Sequence, residues 1–61
     1  MANLTTKELS ALEDQIGQEQ ALVKKYQAMS KMSTDTTISD SLNRFAQQHQ
    51  QHVTTLTSFL N

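Results

Sequence analysis

Ser30-Lys31-Met32-Ser33-Thr34-Asp35-Thr36-Thr37-Ile38 interrupts an otherwise continuous helical pattern and decides the fold. Side chains that cap helices crowd into it, and they suit a short helix–helix turn better than a helix interior. Asp35 is the preferred N-cap of a second helix, with Thr37 and Asp40 as the alternative start. The expected layout is a first helix over about 6–31, a turn over about 32–35 and a second helix over about 36–60.

Outward from the turn, the first helix carries Leu9, Leu12, Ile16, Glu19, Val23, Tyr26 and Ser30, spaced alternately three and four. That spacing marks one helical face. Ala11, Leu22 and Met29 widen it, as bundle helices require. The helix start is well signalled. Thr5 and Glu8 have the spacing of a capping box, and Leu4 can staple onto Leu9. Gly17 costs about 1 kcal/mol against Ala in a helix interior. It serves either a close approach between subunits or nothing more than an exposed face.

The second helix carries Ile38, Leu42, Phe45, His49, His52, Leu56 and Phe59, flanked by Ala46, Val53 and Leu60. If the two helices fold back antiparallel, facing residue numbers must have a constant total. Ser30 with Ile38 sets that total at 68, and Tyr26–Leu42, Val23–Phe45, Glu19–His49, Ile16–His52, Leu12–Leu56 and Leu9–Phe59 all keep it. Seven layers match without a slip. The register also brings the one carboxylate of the first seam, Glu19, opposite the two histidines of the second.

A lone two-helix hairpin leaves the far side of such a wide apolar face uncovered. The expected architecture is therefore all-α: an antiparallel hairpin that dimerises, with two-fold symmetry, into a four-helix bundle. Length argues the same way, because 61 residues without a cysteine have no disulfide to brace a small core. The 36% apolar content is low for a monomer and reasonable for a hairpin joining a second copy.

Composition excludes several roles. A net charge of −1 with scattered Lys and Arg offers no footprint for nucleic acid. No stretch approaches the roughly 20 apolar residues that span a bilayer. The first residues lack the apolar core of a signal peptide, so the expectation is a protein made and kept in the cytoplasm. No nucleophile–base pair, phosphate loop or paired-carboxylate site is visible, and no enzymatic activity is expected.

The Glu19, His49 and His52 layer has two readings. Polar groups in a helix seam must be paired or coordinated. As a metal site, carboxylate oxygen and imidazole nitrogen suit zinc, iron, manganese or copper better than calcium or magnesium. As a structural layer, Glu19 accepts hydrogen bonds from imidazole and fixes register and partner choice. Gln47, Gln48, Gln50 and Gln51 read as solvated surface, and the Tyr26 ring as core.

Leu9-x-x-Leu12-Glu13-Asp14-Gln15-Ile16-x-x-Glu19-Gln20-x-Leu22-Val23-Lys24-Lys25-Tyr26, followed by Phe45-Ala46-Gln47-Gln48-His49-Gln50-Gln51-His52, resembles the short spore coat proteins related to the coat F family of endospore-forming bacteria. The resemblance covers both helices. It implies a ferritin-like helical bundle and a structural role, with synthesis in the mother cell, deposition on the spore coat and other coat proteins as partners. Ferritin-like di-iron sites take a Glu from the first helix of a pair and Glu-x-x-His from the second. Glu19 fills the first place and His52 the last, but His49 stands where the second glutamate would be. Oxidase or ferroxidase chemistry is therefore not expected. A single softer divalent ion, or none, fits better.

Overall fold

The computed structural model describes residues 3–60. Two helices account for nearly all of them: α1, Thr6–Met32, and α2, Thr36–Ser58. The first helix runs one residue beyond its expected end, while Phe59 and Leu60 close α2 as a turn.

Each helix starts where side-chain chemistry satisfies its free N–H groups. Thr5 Oγ1 accepts from the Glu8 N–H at 3.0 Å, and Glu8 Oε1 accepts from the Thr5 N–H at 3.0 Å, completing the capping box. This bond from the Thr5 backbone, and secondarily the Thr5 side chain, holds the Glu8 carboxyl below its ordinary value of 4.5. Asp35 caps α2 by accepting from the Ile38 N–H at 3.0 Å. Leu4 is half-buried, whereas Leu9 stays 38% exposed.

The chain reverses over Ser33, Thr34 and Asp35, and cross-helix hydrogen bonds fix the antiparallel register. Next to the turn, Ser30 and Ser39 face each other with hydroxyls 2.9 Å apart. Each hydroxyl also reaches the other residue's carbonyl at 3.1 Å. Each hydroxyl proton thus has an acceptor across the pair, and the buried Ser30 is satisfied.

The structure moves the seam of α2. Val23 of α1 with Ala46 and Val53 of α2 form the buried apolar core of the described residues. Ser39, Leu42, His49 and Leu56 are half-buried beside them. The expected seam residues Ile38, Phe45 and Phe59 stand 53%, 45% and 49% exposed instead. Ala46 and Val53 of the line assigned to the flank pack inward, Leu60 stays 40% exposed, and about half of the line assigned to the seam points out. Small Ala46 and Val53 let the helices approach, and the bulkier side chains one position earlier are displaced to the side.

The result is a slab 46 × 16 × 10 Å, one helix pair thick. Its two sides differ. Ile38, Phe45, His52 and Phe59 recur every seven residues along one edge of α2, which keeps them in line on a helix. Around the opposite side, Gln20, Gln27, Asn43, Gln47 and Gln50 line shallow polar grooves. A Cβ built on Gly17 would meet nothing within 4 Å, so no close approach within the hairpin requires this glycine.

Candidate metal centre

Glu19 sits at the middle of α1, 6% exposed, with its carboxylate turned toward α2. Both histidines reach it. His49 Nδ1 lies 3.1 Å and His52 Nδ1 2.5 Å from the same oxygen, Oε1. The three residues singled out in the sequence are thus brought together across 30 and 33 positions of chain. One ligand-type atom from each lies within 4.8 Å of the others, a spacing that can hold a metal ion.

Helix geometry explains why both rings converge. Helical side chains lean toward the N-terminus of their own helix. In an antiparallel pair these leans oppose: Glu19 tilts toward the layer of His52, and His52 tilts back toward Glu19. His49 starts level with Glu19 and needs no such reach. Pairing by residue-number total sets Ile16 level with His52, and the opposed leans carry His52 across that one-layer offset to Glu19.

The same lean builds an aromatic file that sequence reading did not assign. Tyr26 stacks nearly parallel on His49, centroids 5.6 Å apart at 13°, and tilts against Phe45 at 5.8 Å. His49 in turn meets His52 edge-on, 5.4 Å apart at 89°. Tyr26 therefore fixes the plane of the His49 ring rather than merely filling core. The signal was available in the opposed tilts, which bring Tyr26 toward Phe45 one layer away and His49 two layers away.

Hydrogen bonding to His49 first, and to His52 second, holds the Glu19 carboxyl below its ordinary 4.5, while burial pushes the other way. Glu19 is therefore an ionised acceptor at neutral pH, and an ionised carboxylate donates nothing. Among the described residues no buried side-chain polar atom lacks a partner. The layer is complete as a hydrogen-bonded unit.

His49 keeps 24% of its side chain exposed and His52 59%. A groove of about 280 Å³, lined by Gln15, Glu19, His52, Thr55 and Leu56, opens beside them. The donor set fits a divalent transition metal, since two imidazoles and one carboxylate match the preferences of zinc, iron, manganese and copper. Among the described residues no helix is long and apolar enough to cross a membrane. No family model, curated protein or solved structure matches the chain.

Proposed function

We propose that this chain is a non-enzymatic structural protein that self-associates through the apolar side of its hairpin into a two-fold, ferritin-like four-helix bundle. The observation that carries the reading is uncovered surface. The hairpin exposes 4740 Å². A compact monomer of its 6.9 kDa would expose only about 4,000 Å². Its radius of gyration is 14.3 Å, against about 10.5 Å for a compact domain of this length. If each copy buries its excess of about 700 Å², the pair removes roughly 1,400 Å² from water, the size of a standard stable interface. Ile38, Phe45 and Phe59 supply the apolar side chains, and Met29 of α1 adds to them at 42% exposure.

The likeness of both helices to short coat-F-related proteins supports placing this assembly in the bacterial spore coat, with other coat proteins as partners. Synthesis would take place in the mother cell. A fluorescent fusion produced in a sporulating endospore former tests this: a ring around the forespore is expected. Diffuse mother-cell signal that never joins the spore would overturn the coat assignment.

The second reading is a small metal-binding bundle, favoured by the convergence of Glu19, His49 and His52. Storage, sequestration or redox use of a zinc, iron, manganese or copper ion would all begin from this site. Elemental analysis of untagged protein tests it. Metal that co-purifies with the chain and is lost from a His49→Ala, His52→Ala variant supports the site. Protein that carries no metal and ignores added zinc, iron, manganese and copper would overturn it.

A further inference from the structure

The Glu19 layer is closed at one end and open at the other. Toward the turn, Tyr26 stacks on His49 with centroids 5.6 Å apart at 13°, and Phe45 packs against Tyr26 at 5.8 Å. Away from the turn lies the groove of about 280 Å³, lined by Gln15 and Glu19 of α1 and by His52, Thr55 and Leu56 of α2. His52 stands at its edge with 59% of its side chain exposed, against 24% for His49.

Both imidazoles turn Nδ1 to the same carboxylate oxygen, at 3.1 Å from His49 and 2.5 Å from His52. An ionised carboxylate only accepts, so Nδ1 carries the proton of each contact. The ligand-type atoms of the three residues lie within 4.8 Å of one another, and Nδ1 is the atom each ring turns inward. Ligands held at about 2.0–2.1 Å around a tetrahedral zinc stand about 3.3 Å apart. His49 Nδ1 is already near that spacing from Glu19 Oε1. His52 must back away by about 0.8 Å, and its exposed ring has the groove to move into.

We infer that one hairpin binds one divalent transition metal through Nδ1 of His49, Nδ1 of His52 and the Glu19 carboxylate, with a fourth position open to the groove for a small monoanion. The ion takes the place of the two hydrogen-bonding protons. In neutral rings each proton moves through water from Nδ1 to Nε2, so the rings exchange tautomers and no proton is lost. Three protein ligands leave a tetrahedral ion one exchangeable position. Tyr26 and His49 close the turn side, so that position faces Gln15 and Thr55. Charge sets the class of the fourth ligand. One carboxylate cancels half of a divalent charge, and a monoanion such as azide, hydroxide or a small carboxylate neutralises the remainder.

This inference rests on the metal reading above, and the following experiment separates the two failures. Untagged full-length protein is titrated with Zn²⁺ and Co²⁺, and azide is then added to the Co²⁺-loaded protein. The expected result is one ion per chain, tetrahedral Co²⁺ absorption, and a further band shift that saturates with azide. Bound Co²⁺ whose spectrum ignores azide would overturn the open position and leave the metal reading standing. No binding of either ion would overturn this inference; if iron, manganese and copper are ignored as well, the metal reading falls with it. Nitrogen-15 chemical shifts identify the ligating atoms in the wild-type protein. Zinc must convert Nδ1 of both rings from N–H to ligand and leave the N–H on Nε2, and ligation through Nε2 would overturn the assignment. Glu19→Gln should weaken affinity beyond the roughly 10- to 100-fold of a supporting partner and move the Co²⁺ bands. An unchanged band shape would take Glu19 out of the ligand set and overturn the three-ligand site. Thr55→Trp fills the groove, and should keep Co²⁺ binding while weakening azide at least tenfold. An undiminished azide response would overturn the placement of the open position.

Discussion

His52 Nδ1 lies 2.5 Å from Glu19 Oε1, a contact between residues 33 positions apart that ties the exposed edge of α2 to the buried middle of α1. Because His49 shares the same oxygen, one carboxylate organises both rings. The register passes through this junction, and so do the proposed metal site and the proposed self-association surface.

Metal affinity should fall in acid, because an imidazole must be neutral to ligate and protons compete with the ion for its nitrogen. Zinc titrations at a series of pH values check this. Affinity that stays constant from neutral pH down to pH 5 would contradict histidine ligation.

Acid should destabilise the fold with a defined sign. The carboxyls of Glu8 and Glu19 are both held below 4.5 in the folded chain. Their contribution is present above the unfolded value and is lost as pH falls through the lowered folded values. Urea midpoints should therefore drop below about pH 4.5, and Glu8→Gln should flatten part of that limb. An unchanged limb would remove Glu8 from the account.

Replacing the cap hydroxyl tests the first turn. Thr5→Ala removes the acceptor for the Glu8 N–H and should cost about 1 kcal/mol. Chemical denaturation reads the loss, and a variant as stable as the parent would count against the capping box.

Gly17 offers the opposite change. With open space around an added Cβ, Gly17→Ala should stabilise the protein by about 1 kcal/mol. Destabilisation, or loss of self-association, would show that a partner helix packs close at this position.

The fold was largely legible because its signals are local. Thr5 with Glu8, Asp35, and the break after Ser30 each mark a helix end by their own chemistry. The antiparallel pairing then followed from two seams of equal period and set Glu19 level with His49 and one layer from His52, although Ser30 meets Ser39 rather than the expected Ile38. The rotation of α2 was not legible. Ile38, Phe45, His52 and Phe59 run one position ahead of Ser39, Ala46, Val53 and Leu60, and both lines have a seven-residue period. Ranking by apolar bulk favours the first line, whereas close helix contact favours the smaller side chains of the second. Nothing in a two-helix pattern says which line meets α1 and which is left for another chain. Tyr26 against His49 was hidden for a related reason, since layer matching ignores the lean of side chains along their helices.

Separating fold from assembly is possible at Ile38. It lies in the first turn of α2 and is 53% exposed, so Ile38→Glu adds an acid where the helix dipole favours one. Helicity by circular dichroism should be retained at high protein concentration while the mass falls to that of one chain. Retained assembly would take Ile38 out of the interface.

The central claim is that the uncovered stripe of α2 is covered by a second copy. Sedimentation equilibrium of the untagged chain measures this most directly. The account predicts twice the chain mass of 6.9 kDa at micromolar concentration. A single-chain mass with full helicity under the same conditions would contradict it.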